Sequence, residues 1–480
     1  MKSTPVRAFV KADVVISHSS KTAETLQKVG RLAELLSQRW NVWWDDNLVG
    51  RFPRVIEEKI RNATCVIPVW TEAAHDSDWV QVELEFAQQC DAHILPVRME
   101  PCKPPFGYVT FSSVDLTGWG GEDDHPAMLQ LGRKLASVVA PAGAPQRPRE
   151  IFGNRLELPA LFMSISSHET QFEPLDGVRA LRLFGANAVL VSAYDLLPER
   201  RAPAMVTELK KIRKAGGLVL VDSGNYEASR RDDVRWTPRQ FKRALQDVPH
   251  DWAFSFDVME PAPDARKAVR QIVAAVERDS RFTTQPVLPI VHLPYSKRSG
   301  YRADAIAQVV RQVAGELAPP MIAIPERELG QGLAQRATRV REIRRELDKL
   351  SFYQPLHLLG TGNPWSIAVL AAAGADSFDG LEWCRVAVDR EANRLNHFQH
   401  FDLFTYQLGW IESPLVKSLV SDENANFSAR VAFHNLDYFA QLGRDLRKAS
   451  GKGNLETFVT AMLGAAYTKY IGKNVPSLFP

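Results

Sequence analysis

Short apolar stretches, each followed by a stretch of helical periodicity, recur along almost the whole chain, and no other feature restricts its fold so strongly. Strands that alternate with helices lie parallel, with the helices covering the sheet. Ligands of such sheets bind outside the carboxyl ends of the strands. In the first part the strands are Val10 to Ser17, Asn41 to Asp45, Cys65 to Trp70 and His93 to Arg98. Between them lie a helix with Leu26, Val29, Leu32, Leu35 and Leu36 on one face, a helix from Pro53 to Ala63, and one opening near Asp78. The period of the apolar residues is what separates the two kinds of stretch.

The alternation is interrupted once. Ala140-Pro141-Ala142-Gly143-Ala144-Pro145-Gln146-Arg147-Pro148 has no periodicity and reads as a joint. The expected organisation is therefore a domain over 1–140, a linker over 141–150 and a domain over 151–480, since 480 residues exceed one ordinary core. Beyond the joint, strands end near Ser166, Ser192, Asp222, Asp257, His292, Pro325, Gly360 and Asp379. Eight strands with intervening helices predict a (β/α)8 TIM-type barrel. Asn454 to Tyr470 reads as a further helix.

Composition excludes several classes. Hydrophobic residues make up 45% and charged residues 24%, which is ordinary for a globular chain. No apolar run reaches membrane-spanning length, so no membrane partner is expected. Met1 to Lys11 lacks the apolar centre of a secretory signal, and a cytoplasmic location is expected. No pair among Cys65, Cys90, Cys102 and Cys384 has metal-ligand spacing, so neither a metal site nor a disulfide framework is expected. Residues 1–140 hold 15 Lys+Arg against 18 Asp+Glu, and the remainder 44 against 38. The mildly basic second part permits contact with nucleic acid. Its basic stretches, Arg200-Arg201, Lys210 to Lys214 and Arg339 to Arg345, read as solvated helix faces, with phosphate contacts as the alternative.

In the helix opening near Asp78, that residue is placed to cap the first turn with Gln81 as its reciprocal partner. Trp79 and Glu83 are four apart and share a face, whereas Glu85 is turned about 200° from Glu83. An indole edge beside a carboxylate can hold a flat ring and stabilise a cation. Ser17-His18-Ser19 and Trp44-Asp45 stand at neighbouring strand ends. The blocks Asp13 to Ser19, Val42 to Asp45, Ile56 to Ala63, Ser77 to Glu83 and Ile94 to Arg98, in this order, resemble Toll/interleukin-1 receptor (TIR) domains, above all their bacterial branch. The resemblance implies a flavodoxin-like parallel sheet that cleaves NAD, with NAD as substrate and no cofactor. It makes Glu83 the catalytic carboxylate and puts Ser17, His18, Ser19, Trp44, Asp45 and Trp79 around the NAD. It also implies self-assembly through the TIR domain, with contacts in the loop Asp46 to Phe52.

The barrel's strand ends are acidic: Asp222 with Ser223, Asp257 and Asp379, joined by His292 and Glu326. Leu220 to Tyr226, Phe254 to Asp257, Leu358 to Pro364, Gly374 to Asp379 and His434 to Phe439 resemble the queuine/archaeosine tRNA-guanine transglycosylases. By that resemblance Asp379 attacks the ribose anomeric carbon, Asp222 is the acid/base and Asp257 holds the base edge. The chain departs from that family in lacking its zinc-binding cysteines, in having His292 where the family has a Gln, and in having Pro325 to Gly330 in place of a glycine-rich loop. The expected ligand is a nucleic acid or a nucleobase-like molecule. Together these features imply an antiviral immune effector whose TIR domain cleaves NAD under control of a sensing or recruiting barrel. The alternative is a base-exchange enzyme with the TIR domain as an interaction module.

Overall fold

A computed structural model describes residues 13–479 except 20–21, 46–52, 76, 123–124, 140, 142, 154, 169 and 299. The loop Asp46 to Phe52, expected to carry assembly contacts, thus lies outside the described residues. The chain forms two compact units, residues 1–146 with 348–353 and residues 147–347 with 354–480.

The N-terminal unit is a parallel sheet. Its strands are β1 (Val14–His18), β2 (Val42–Trp44), β3 (Cys65–Trp70), β4 (His93–Ile94), β5 (Val97–Arg98) and β6 (Val114–Asp115). They run in the order β2-β1-β3-β5-β6, with β4 also on β3. The sequence gives one strand from His93 to Arg98; the structure splits it at Leu95-Pro96, where proline has no N–H for the ladder. Alternation along β1 sorts the core into two layers. Val14 and Ile16 pack with α1 (Ala23–Ser37) through Val29 and Leu32. Val15 faces the other way, towards Ile60 of α2 (Pro53–Asn62) and Val80 and Leu84 of α3 (Asp78–Gln89). The cap of α3 is Ser77, whose Oγ accepts the Val80 N–H at 3.5 Å, and not Asp78, which already lies within the helix.

The second unit is a barrel of eight parallel strands: β7 (Ala160–Ile165), β8 (Ala188–Ser192), β9 (Leu218–Asp222), β10 (Trp252–Phe254), β11 (Val287–Leu288), β12 (Ile322–Pro325), β13 (Leu356–Leu359) and β14 (Ser377–Gly380). Seven interfaces are ladders, and the eighth is closed by a single parallel bridge, Ile290 to Ala323. Phe162, Leu190, Leu220, Phe254, Leu288 and Ala323 fill the interior. Arg147, placed in the linker by sequence, belongs to this unit and pairs with buried Asp376 at 2.5 Å.

The helix Phe427–Gly451 braces the segment after β14. Asn435 donates to the Val386 carbonyl at 2.6 Å and accepts the Val388 N–H at 3.1 Å. The final helical pattern is two helices, Leu455–Leu463 and Ala465–Asn474, broken at Gly464, where φ is +86°.

Candidate functional sites

In the N-terminal unit β1 lies between β2 and β3, so the chain crosses over at the end of β1, the place where a parallel sheet opens a crevice. Ser17 is the last inward residue there and is buried. Glu83 comes from the second turn of α3, which the packing of Val80 and Leu84 fixes against the sheet. Ser17 Oγ donates to Glu83 Oε2 at 2.5 Å. The Trp79 indole N–H, one turn earlier, donates to the same carboxylate. Burial raises the Glu83 carboxyl to about 7, and the charge of Asp45 adds to this, while the Ser17 and Trp79 hydrogen bonds oppose it.

The other residues predicted here gather beside that pair. His18 Nε2 bonds the Asp45 carbonyl at 2.9 Å, and its ring lies 5.8 Å from that of Trp44. Burial holds His18 below its ordinary range, against the pull of Asp45. The Ser19 carbonyl accepts the Thr71 hydroxyl at 2.7 Å, tying β1 to the end of β3. Glu85 is solvent-exposed.

In the barrel, the site follows from strand period. Two residues beyond the apolar layer the same inward face carries polar groups: Ser164 after Phe162, Ser192 after Leu190, Asp222 after Leu220 and His292 after Ile290. They line a cavity of about 300 Å³ with Ser223, Glu227, Asp257, Asp379, Glu382 and Arg385.

Asp379 accepts from Ser164 Oγ at 2.7 Å, from the Gly360 N–H at 2.8 Å and from His357 Nε2 at 3.3 Å. Asp222 is raised well above the usual carboxylate range, first by burial and then by the charges of Glu227, Asp257 and Asp379. Burial would also raise Asp257, but the His292 bond and charge and the Ser223 hydroxyl outweigh it and hold this carboxyl low. His292 sits between two carboxylates, with Nε2 2.5 Å from Asp257 Oδ2 and Nδ1 2.8 Å from Glu328 Oε1. Burial disfavours its charge, yet these two partners push it up to about 10. It is an imidazolium that donates from both nitrogens.

One predicted member is corrected. Glu326 does not line the cavity, because its carboxylate turns to Arg336 Nη1 at 2.8 Å. Glu328, two residues on in the same 3-10 turn, meets His292 instead. The basic stretches are also largely spoken for within the unit. Arg200 pairs with Asp233, Lys211 with Glu208, Arg213 with Asp251 and Arg339 with Glu342.

Comparison with known proteins now bears on both units. Residues 14–131 match the family described as TIR domain. The N-terminal unit is a TIR domain. The rest of the chain is homologous to tRNA-guanine(15) transglycosylases. That of Archaeoglobus fulgidus is 23% identical over 262 residues, covering 51% of this chain and 52% of the relative. The Pyrococcus abyssi protein is 21% identical over 322 residues, covering 64% and 52%. The Thermococcus kodakarensis protein is 22% identical over 352 residues, covering 68% and 58%. The chain thus spans about half the length of the curated relatives it matches.

Beside the TIR domain, then, stands a transglycosylase-like barrel whose cavity holds two carboxylates that sequence reasoning missed. Glu227 follows Tyr226 in a helix that starts just beyond β9, and Glu382 lies two residues beyond β14. The glycines gave the available signal for Glu382. A Cβ on Gly362 or Gly380 would collide with its Oε2, so only glycine leaves room for the carboxylate where it lies. Among the described residues no helix is long and apolar enough to cross a membrane.

Proposed function

We propose that the TIR domain cleaves NAD at the nicotinamide glycosidic bond and that Glu83 is its catalytic carboxylate. The observation that carries this reading is the Glu83 carboxylate itself, half-buried at the sheet's crossover and oriented by Ser17 and Trp79. Nicotinamide leaves the cationic ring of NAD as a neutral molecule and needs no proton from the protein. What develops is an oxocarbenium-like ribose, which an ionised Glu83 beneath it stabilises. Water then adds to the anomeric carbon and releases its proton to solvent. Trp79 and Trp44 offer flat apolar surface beside the carboxylate, and His18 and Asp45 a polar edge.

On this reading the chain is an antiviral effector that works by self-association of TIR domains, and the barrel is its sensing or recruiting half, turned towards a nucleic acid or nucleobase-like ligand. A ligand of the barrel controls such a system only by binding its two states unequally. The test is purified protein incubated with NAD, with and without nucleic acid. Glu83→Gln is expected to keep the fold and lower turnover by several orders of magnitude. Undiminished turnover in a folded Glu83→Gln protein would sink the assignment.

One observation favours a second reading, in which the barrel exchanges a base. Asp222, raised well above the usual carboxylate range, lines the same cavity as Asp379, as an acid and a nucleophile at a glycosidic bond would.

A further inference from the structure

Among the described residues, three buried oxygens on side chains that line the barrel cavity have no hydrogen-bond partner: Glu227 Oε2, Glu382 Oε2 and Ser192 Oγ. Their residues are 4%, 8% and 1% exposed. Each carboxylate has its other oxygen held, Glu227 Oε1 by the Ser166 hydroxyl at 2.6 Å and Glu382 Oε1 by Arg385 Nη2 at 2.8 Å. Asp222 accepts only the Gly224 N–H, at 3.3 Å, while Asp257 and Asp379 are engaged on both oxygens. Asp257 receives Asn225 Nδ2 at 2.7 Å on Oδ1 and His292 on Oδ2. Asp379 receives Ser164 on one oxygen and Gly360 and His357 on the other.

Of the three cations that line the cavity, Arg327 stacks on the Tyr226 ring and the other two are paired with acids. His292 is neutralised between Asp257 and Glu328, and Arg385 lies on Glu382. Five carboxyls thus line the cavity against three cations, so acid outweighs base there. A buried carboxylate oxygen left bare is costly, and a charged N–H donor satisfies it best. A cavity of about 300 Å³ suits a small molecule.

We propose that this cavity binds a small planar cation carrying N–H donors, of the amidinium or guanidinium class, with Glu227 and Ser192 as its principal acceptors and Glu382 as a second carboxylate. The placement differs from one in which Asp257 reads the ligand, because both oxygens of Asp257 are committed to the fold. The inference rests on the reading of the barrel as the recognising half, and it names the chemistry of what is recognised.

Calorimetry on the full chain at pH 7 tests it, with benzamidine as the cationic probe, benzamide as its neutral isostere and guanine as a neutral base. Benzamidine is expected to bind at least about tenfold more tightly than benzamide, a difference of ~1.4 kcal/mol. Glu227→Gln should erase that preference, and Ser192→Ala and Glu382→Gln should each reduce it, which keeps the test decisive if one variant fails to fold. Absent benzamidine binding, equal affinity for the two probes, tighter binding of guanine, or an unchanged preference in folded Glu227→Gln would each overturn the proposal. NAD turnover read on the same preparations separates the two readings. Loss of NAD cleavage with the benzamidine preference intact counts against the TIR assignment alone.

Discussion

Ser17 and Glu83 stand 66 positions apart in the chain, yet the hydroxyl of one lies 2.5 Å from the carboxylate of the other. The bond favours the ionised form and so works against the burial that raises this carboxyl. Ser17→Ala should let the Glu83 pKa climb further. If Glu83 acts as an anion, the rising limb of NAD cleavage then moves to higher pH, while the plateau falls less than in Glu83→Gln. A pH–rate profile of the two variants measures this, and an unmoved limb in Ser17→Ala would detach the hydroxyl from the chemistry.

The wild-type profile follows from the same carboxyl. With Glu83 raised to about 7, NAD cleavage should increase with pH between about 6 and 8. Stability should move the opposite way. Between 4.5 and about 7 the folded state keeps a proton that the unfolded chain has lost, so TIR-domain stability falls as pH rises through that window. Glu83→Gln should flatten that slope. Unfolding midpoints at pH 5 and pH 8, in wild type and variant, check the sign.

His292 gives a third expectation. Its pKa is raised from 6.5 to about 10, so its contribution is fully present below 6.5 and is lost as pH rises through about 10. His292→Gln removes the cation from between Asp257 and Glu328 and leaves two buried carboxylates facing one another. Breaking such a buried arrangement costs on the order of 3–5 kcal/mol. The deficit should be greatest near neutral pH and shrink towards pH 10, as denaturant titrations of wild type and variant would show.

Asp379→Asn distinguishes a sensing barrel from a working one. If the barrel recognises a ligand, this change should shift the trigger concentration needed for NAD cleavage and leave the maximal rate within about twofold of wild type, a difference of less than ~0.5 kcal/mol. Exchange of a labelled base into RNA or DNA by wild type, abolished in Asp379→Asn, would make the barrel an enzyme.

Much of this was legible in the sequence because a parallel sheet states its period twice. Apolar alternation located the eight barrel strands, and the residues two steps past the apolar layer, Ser192, Asp222 and His292, were already the polar ones. The pairing of Trp79 with Glu83 followed from a spacing of four on a helix. Other features depend on backbone paths that residue types do not encode. Ser77 and Asp78 are both good caps, and only the dihedral angles choose Ser77. Glu326 and Glu328 share one 3-10 turn and point to different partners, so a carboxylate two residues from the right one was selected. Glu227 and Glu382 lie in short helices after strand ends, where no periodicity shows which way a side chain faces.

The barrel's eighth interface rests on one bridge, Ile290 to Ala323, between strands that form no ladder. Just beyond it Glu328, which follows β12, accepts the Leu293 N–H at 2.9 Å and the His292 ring at 2.8 Å, both of which follow β11. The backbone bonds of the bridge, Val291 N–H to the Ala323 carbonyl at 2.8 Å and Ala323 N–H to the Pro289 carbonyl at 3.0 Å, are thus reinforced by an ion pair. This interface draws on a group that can be discharged as well as on backbone bonds. Alkaline conditions should therefore loosen the barrel along one meridian first, beside the wall of the cavity that His292 forms.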